Sequence, residues 1–344
     1  MKKLINGVDD VVVEQLEGMA IAHPELNVNI SPHYITRCDA PVAGKVAIVS
    51  GGGSGHEPIY HGLVGRNLAD GAACGDIFAA PPPDIVLEAT QAVNRGKGVL
   101  YLYGNYAGDV MNFDMGAELA GDDDIEVRTV LIWDDVCSAP PTQKNNRRGI
   151  AGLVPIVKLA GAASQSAGSL DELEATTRKA VLQTRSVGVS MSPGSIPATG
   201  KPTFDIDESM IGLGMGIHGE PGVAEIPMTT ADDLTPRMLD LIFEDFEKDD
   251  EVEALAAGDE IVFFVNSLGS TTMMECLIAL RKAREILDAK GLKTYDVIVG
   301  PLVTCQEMAG ISFSVTRLDD ELKRLWELPC QSVCFTKMEG RYGG

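Results

Sequence analysis

Two histidines and one aspartate have the side-chain type and the sequence setting for chemistry on a carbonyl compound. His218 lies in residues 212–222, which include five glycines, and His56 lies in a second glycine-rich stretch, residues 51–58. Because glycines remove side chains and allow backbone or ligand to approach closely, a ring nitrogen in such a stretch is accessible. An imidazole with an unperturbed pKa of about 6.5 is neutral and nucleophilic at cellular pH. The alternative for each histidine is a tight turn in which the ring only bonds to nearby backbone.

Asp109 is the third candidate. It follows the apolar run of residues 98–103, which is typical of a buried strand, and it precedes the helical apolar spacing of residues 110–119. A carboxylate within hydrogen-bond reach of a hydroxyl can take its proton as that oxygen attacks phosphorus. An imidazole can add to a ketone carbonyl and form a hemiaminal. Taken alone, however, Asp109 is predicted to be the N-cap of the helix that follows.

Hydrophobic periodicity predicts the elements that must position these residues. The His56 and Asp109 stretches both follow strands, and open α/β sheets place ligands at the carboxyl ends of their strands. Residues 186–206 are rich in glycine and proline and are predicted to be a loop or an interdomain crossing. The predicted strands are 44–50, 98–103, 125–133, 261–265, 295–299 and 332–336, and the predicted helices are 11–22, 150–167, 170–184, 236–247, 271–289 and 318–327.

Strands that alternate with helices in both halves of the chain predict the α/β class. The length of 344 residues exceeds the size at which single cores tend to divide, which is about 250–300 residues. We therefore predict two α/β domains, each with a mixed or parallel sheet flanked by helices. The N-terminal domain, residues 1–185, carries His56 and Asp109, and the C-terminal domain, residues 186–344, carries His218.

Composition and charge argue against several classes of function. The net charge of −22 argues against nucleic acid and anionic membranes as partners. The sequence lacks a run of about 18 apolar residues, and its N-terminus turns acidic before a signal-peptide core could form. Seven cysteines without a Cys-x-x-Cys pair fit reduced thiols in the cytoplasm better than disulfides or zinc. Residues 51–58 lack the lysine of a phosphate-binding loop, so we expect no cofactor or metal on this chain.

Seven segments, spread in order over nearly the whole chain, carry a resemblance to one family. In these segments the sequence resembles the substrate-binding subunit of dihydroxyacetone kinase, the DhaK family. The two histidine stretches are the most specific of them. The segments are residues 2–6, 51–58, 105–113, 147–152, 212–222, 266–269 and 307–310.

This resemblance implies a ketose kinase, which is a phosphotransferase with an alcohol acceptor, assembled as a homodimer. His218 would form a hemiaminal with the carbonyl carbon of the substrate. Asp109 and His56 would hydrogen-bond the terminal hydroxyl and deprotonate or orient it for attack. Further substrate contacts are expected from Gly53, Ser54, Gly55 and Gly104.

The phosphoryl donor is expected on a separate partner. The resemblance implies a DhaL-like domain, either another subunit or a C-terminal extension, that carries ATP or ADP with Mg²⁺ held through aspartates. ATP could serve directly, or a phosphotransferase-system protein could recharge bound ADP. The sequence leaves this choice open.

Gly104 departs from the family pattern. Many family members carry a lysine at this position, where it contacts the substrate. A glycine removes that donor and leaves volume beside the ligand, so we predict a ketose longer than dihydroxyacetone, such as the four-carbon erythrulose. Residues 76–83 are expected to line the same pocket.

Two other readings of the sequence are kept. The first is a DhaK-like sensor that binds the ketose without turnover and acts on a transcription regulator. The combination of His56, Asp109 and His218 favours the enzyme, because a sensor has no need of a base. The second is a small-molecule binding protein of unrelated chemistry, which leaves the two histidine stretches unexplained.

Overall fold

The computed structural model describes residues 2–338, and the chain divides into two compact units. Unit 1 contains the chain up to Leu131, Ile156–Ala180 and the chain from Glu321 on. Unit 2 contains Ile132–Pro155 and Val181–Asp320. This partition differs from a single division between residues 185 and 186, because two segments belong with partners that are distant in sequence.

Residues 2–338 form eight α-helices and fifteen strands. Two 3₁₀ helices, His61–Leu63 and Pro141–Asn146, accompany them. The helices are α1 (Val11–Ala22), α2 (Pro83–Val93), α3 (Ala107–Asp122), α4 (Leu153–Ala163), α5 (Leu170–Leu182), α6 (Ala231–Lys248), α7 (Met273–Ala289) and α8 (Asp320–Glu327). The strands are β1 (Leu26–Ile30), β2 (His33–Arg37), β3 (Ala47–Ser54), β4 (Gly65–Arg66), β5 (Gly71–Ile77), β6 (Val99–Gly104), β7 (Val127–Ile132), β8 (Thr184–Ser192), β9 (Met210–Leu213), β10 (Ala224–Pro227), β11 (Glu260–Ser267), β12 (Lys293–Gly300), β13 (Ala309–Leu318), β14 (Cys330–Ser332) and β15 (Thr336–Lys337).

Unit 1 is built on a six-stranded mixed sheet in the order β1-β2-β5-β3-β6-β7. The central strand β3 is parallel to both β5 and β6, whereas β2 is antiparallel to β1 and β5. Phe113 of α3 packs between two buried tyrosines of β6, with ring centroids 5.2 Å from Tyr101 and 4.1 Å from Tyr103. A small sheet, β15-β14-β4, joins Gln331 to Arg66, which explains why the end of the chain belongs to this unit.

Unit 2 is built on a second six-stranded sheet in the order β10-β9-β8-β13-β11-β12. Only the β11–β12 pair is parallel among its described pairings, and the other neighbours are antiparallel. Its core combines the buried faces of α6 and α7 with apolar residues of the sheet, such as Phe263 and Phe313. Both units therefore have a sheet flanked by helices, and the predicted fold class is confirmed.

A buried ion-pair cluster ties residues 132–155 to unit 2. The fully buried guanidinium of Arg147 donates to Asp245 at 3.0 Å, and Arg185 donates to both Asp245 and Asp249 at 2.6 Å. Lys144 donates to Asp249 at 2.6 Å. Removal of one partner from such a cluster leaves a buried charge without compensation and costs about 3–5 kcal/mol.

Several predicted elements need correction. Residues 186–192 of the predicted crossing belong to strand β8, where a glycine is needed because a Cβ on Gly188 would lie 2.9 Å from the Met215 carbonyl oxygen. The helix predicted from residue 236 begins at Ala231, with Thr230 as its N-cap and Pro236 inside it. The strand predicted at 332–336 is instead two short strands around a turn, in which the Ser332 N–H donates to the Phe335 carbonyl oxygen.

Helix α1 has the predicted ends, and the remaining predicted helices and strands correspond to observed elements with shifted ends. The elements that were not predicted are α2, β1, β2, β4, β5, β9, β10 and β13. Within residues 2–338, no helix is both long enough and apolar enough to cross a membrane.

Candidate functional site

The glycines before His56 belong to a strand, not to a loop as predicted. Strand β3 continues through Gly51, Gly52 and Gly53 to Ser54, and these residues pair with β5. A Cβ on Gly51 would lie 2.5 Å from the Ala73 carbonyl oxygen, and the other two glycines are equally crowded. The glycines therefore allow close packing at the carboxyl end of β3.

The Ser54 hydroxyl and the Gly55 N–H, which precede His56, both donate hydrogen bonds within the fold. The Ser54 hydroxyl donates to the Gly75 carbonyl oxygen at 2.7 Å. The Gly55 N–H donates to the Glu57 carboxylate at 2.9 Å, and Gly55 has a φ of 100° that favours glycine. These contacts fix the turn that carries His56.

His56 is a buried residue with 2% of its surface exposed. Its ring packs against Phe78, with the ring centroids 5.0 Å apart and the planes tilted by 45°. The Phe78 N–H donates to the Ser54 carbonyl oxygen at 2.9 Å. The imidazole is thus oriented by an aromatic side chain that the end of β3 itself positions.

Asp109 is the third residue of α3, so the prediction that it caps this helix is wrong. The N-cap is Tyr106, which makes no side-chain capping hydrogen bond. Gly104, buried at the end of β6, precedes this turn. The half-buried Asp109 carboxylate lies in the first helical turn, where the helix dipole favours a negative charge.

The charge of Asp109 affects the pKa of two buried tyrosines. Burial raises the pKa of Tyr60 above its ordinary value, and the Asp109 carboxylate raises it further. Burial also raises the pKa of Tyr103, and the charges of Asp114 and Asp109 add to the effect. Both phenols therefore stay protonated at neutral pH.

Residues 76–83 lie beside both parts of the unit 1 site. Phe78 contacts His56, and the Asn112 side chain of α3 donates to the Pro81 carbonyl oxygen at 3.0 Å. A Cβ on Gly108 would lie 3.5 Å from the Cβ of Ala80. This segment links the His56 turn to the first turn of α3.

His61 was not singled out from the sequence, although it is buried near the His56 turn. Burial lowers its pKa, and the nearby Glu57 carboxylate opposes that effect. Its Nε2 lies 3.4 Å from the Gln15 side-chain nitrogen. These contacts indicate a structural role for His61, which lies between α1 and the turn at Glu57.

The His218 loop of unit 2 follows β9. Gly214 and Gly219 have φ values of 75° and 87°, which favour glycine, and a Cβ on Gly219 would lie 2.3 Å from the Phe204 ring. The Gly216 carbonyl oxygen accepts from the Gly219 N–H at 3.1 Å, so the segment forms a tight turn. The His218 side chain at its tip is 28% exposed.

Glu220 contacts His218 at two points and was not predicted. One carboxylate oxygen lies 2.7 Å from Nδ1 of His218, and the other accepts from the His218 backbone N–H at 3.0 Å. Burial alone would raise the pKa of Glu220, but the hydrogen bonds and charge of His218 outweigh it and lower that pKa to about 2. Glu220 is therefore ionised and can only accept, which places the donated proton on Nδ1.

Arg148 supports the same loop from a segment distant in sequence. Its guanidinium donates to the Gly214 carbonyl oxygen at 3.2 Å and, through Nε, to Asp135 at 2.9 Å. Burial raises the pKa of Asp135 to about 7, although the Arg148 charge opposes that rise. The sequence contains the adjacent pair Arg147 and Arg148, but only the fold shows that Arg147 binds Asp245 and that Arg148 binds the His218 loop.

The structure thus brings His56, Asp109 and residues 76–83 to one edge of the unit 1 sheet, with Gly53, Ser54, Gly55 and Gly104 at the ends of β3 and β6. His218 lies in unit 2 with Glu220 and Arg148. Among residues 2–338, no group of three or more histidine, cysteine, aspartate or glutamate side chains could hold a metal ion.

Comparison with known proteins places this geometry in a family. Residues 17–334 match the Dak1 domain. The chain belongs to the Dak1 family. The dihydroxyacetone-binding subunit DhaK of the PEP-dependent dihydroxyacetone kinase of Escherichia coli (strain K12) is 39% identical over 346 residues, which cover 96% of this chain and 97% of that subunit.

Two further similarities bear on length and function within the Dak1 family. L-erythrulose 1-kinase of Mycolicibacterium smegmatis is 35% identical, and the match covers 98% of this chain but 58% of that protein. The solved structure of the dihydroxyacetone kinase operon co-activator Dha-DhaQ is 28% identical with a TM-score of 0.86, and the match covers 93% of this chain and 97% of the co-activator. The fold is therefore shared by proteins named as kinases and by one named as a co-activator.

Proposed function

We propose that this chain is the ketose-binding subunit of a kinase. His218 binds the ketone as a hemiaminal, and Asp109 and His56 hydrogen-bond the terminal hydroxyl and activate it for attack on phosphorus. The observation that carries this proposal is the His218 loop, where a partly exposed imidazole is held through Nδ1 at the tip of a glycine-rich turn. The names of the bacterial relatives, which include dihydroxyacetone-binding subunits and erythrulose kinases, agree with it.

The proposal includes a partner that carries the nucleotide. A relative named as a binding subunit has nearly the same length as this chain, whereas the L-erythrulose 1-kinase is much longer. We propose a DhaL-like nucleotide carrier, either a separate subunit or a fused domain, with ATP or ADP and Mg²⁺, and a homodimer of the present chain. The buried Gly104 at the end of β6 supports a ketose longer than three carbons, because it offers volume without a charged donor.

The test is calorimetric binding of dihydroxyacetone, D-erythrulose, L-erythrulose and glycerol to the wild type and to His218→Ala. We expect ketose binding to disappear in the variant, and glycerol, which has no carbonyl group, to bind poorly to both proteins. The ketose that binds most tightly to the wild type identifies the substrate. Ketose binding that survives the substitution, with the fold intact, would exclude the covalent step.

The co-activator similarity supports one alternative, a ketose sensor without turnover. Addition of a DhaL-like partner and nucleotide separates the two functions, because only a kinase subunit supports formation of a phosphorylated ketose.

A further inference from the structure

Glu220 and His218 form a pair that is more specific than a surface ion pair. The carboxylate holds the ring at Nδ1 and the backbone of the same residue, with distances of 2.7 and 3.0 Å. Both side chains are less than one-third exposed, at 28% and 30%. Two contacts to one residue fix both the position of the histidine and the rotation of its ring.

We propose that Glu220 is a positioning residue that makes Nε2 of His218 the nucleophile and stabilises the positive charge that this ring acquires during addition. This inference rests on the proposed function. The contact at Nδ1 places the proton there, so the lone pair lies on Nε2. A carboxylate that orients a histidine through its other nitrogen is a recurrent device in nucleophilic and general-base catalysis.

The addition step can be written with its charges and protons balanced. The Nε2 lone pair forms a bond to the carbonyl carbon, and the π electrons of the C=O bond move onto oxygen. That oxygen takes one proton from water, and the ring is then an imidazolium opposite the Glu220 carboxylate. Release of the Nδ1 proton to water completes a neutral hemiaminal with no net gain of protons.

The space around the pair explains why residue 216 is a glycine. A Cβ on Gly216 would lie 2.2 Å from a carboxylate oxygen of Glu220 and 2.7 Å from Nη1 of Arg148. The Arg148 guanidinium faces the pair, and Asp135 lies behind it. Glycine leaves room for the carboxylate and the guanidinium beside the same turn.

The first experiment compares Glu220→Gln and Glu220→Asp with the wild type in calorimetric binding of dihydroxyacetone. Loss of a charge-assisted hydrogen bond predicts about 10- to 100-fold weaker binding for Glu220→Gln. Glu220→Asp keeps the charge and is expected to recover part of the affinity. Glu225→Gln, which removes an exposed carboxylate five residues away, is the matched control and is expected to leave binding unchanged.

The second experiment measures adduct formation directly, by ¹³C NMR of dihydroxyacetone labelled at the carbonyl carbon, which reports whether that carbon has become tetrahedral. We expect the tetrahedral signal in the wild type and a strong reduction in Glu220→Gln, where the carboxylate that stabilises the charged ring is gone. Glu220→Asp keeps the charge and should recover part of the signal.

A third variant displaces Glu220 without removing it. In Gly216→Ala the new methyl group must push aside the ends of two flexible side chains, so the fold is expected to tolerate it. We expect a ketose affinity between those of the wild type and Glu220→Gln, with a melting temperature close to that of the wild type.

The outcomes separate this inference from the proposed function. If the wild type forms the tetrahedral adduct and Glu220→Gln binds the ketose with the same affinity and forms the adduct to the same extent, the positioning role is excluded while the hemiaminal stands. If the wild type forms no adduct, the proposed function fails and the role of Glu220 fails with it. Weak binding by Glu220→Gln, partly recovered by Glu220→Asp, supports both.

Discussion

The two regions that carry the candidate residues are built by different forces. In unit 1, His56 and Asp109 follow β3 and β6, and their positions depend on strand pairing and on glycines that have no room for a side chain. In unit 2, His218 lies on a partly exposed loop that Glu220 and the Arg148–Asp135 pair hold in place. Close steric packing holds the first region in place, and contacts between charged side chains hold the second.

This difference teaches which substitutions each region should tolerate. A change of side-chain volume at the end of β3 must move backbone, because the nearest atoms belong to neighbouring strands. A change of charge near His218 leaves the strands in place and alters only how the loop presents its histidine. Stability measurements should therefore report on changes of volume in the first region, and affinity measurements on changes at the Glu220–His218 contact in the second.

The largest expected effect is on turnover in Asp109→Asn. The amide has the shape of the carboxylate, so ketose binding and the fold should be retained, but it cannot take a proton from the hydroxyl. Loss of a general base predicts a decrease of about 10²- to 10⁴-fold in kcat, measured with a DhaL-like partner and nucleotide. Turnover at the normal rate would mean that Asp109 has no role as a base.

Gly51→Ala should lower the free energy of unfolding by about 1–3 kcal/mol, because the added methyl group would overlap the Ala73 carbonyl oxygen and the Phe113 ring. Chemical denaturation measures this loss. Gly121→Ala in α3 is the control, since no atom lies within 4 Å of the added Cβ and alanine favours a helix by up to about 1 kcal/mol. Equal stability of the two variants would contradict the claim that shape fixes unit 1.

The smallest expected effect concerns the support of the His218 loop. Because burial raises the pKa of Asp135 to about 7, the folded chain holds a proton there that the unfolded chain has already released above pH 4. The stability that this proton provides is present at low pH and is lost as the pH rises through 7. The stability of Asp135→Asn relative to the wild type should therefore increase between pH 5 and pH 8, by about 1 kcal/mol or more. A constant difference between the two proteins would show that Asp135 does not titrate in this range.

Residue type and spacing predict His56, Asp109 and His218 as candidate site residues, because strand ends and glycine-rich turns leave strong local signals. The same signals gave wrong predictions where a glycine is needed for close packing. Gly51 to Gly53 and Gly188 read as loop residues, yet they lie in strands where the sheet or a neighbouring loop approaches too closely for a Cβ. Only the folded sheet reveals that crowding.

Glu220 and Arg148, the charged residues that support His218, were not predicted from the sequence for a different reason. Glu220 stands two residues from His218 in the sequence, but the turn that brings its carboxylate back onto Nδ1 depends on left-handed glycines at 214 and 219. Arg148 reaches the Gly214 carbonyl oxygen from 66 positions away in the chain. Periodicity describes neighbours along one element and contains no information on such distant contacts.

The interleaved course of the chain has a consequence for its synthesis on the ribosome. Strand β4 pairs with β14, and the Asn67 side chain donates to the Pro329 carbonyl oxygen at 2.6 Å. Unit 1 therefore cannot complete its contacts until the residues around Pro329 have been translated, whereas Asp320, the last residue of unit 2, is translated earlier. The unit that is begun first on the ribosome is thus the unit whose contacts become complete last.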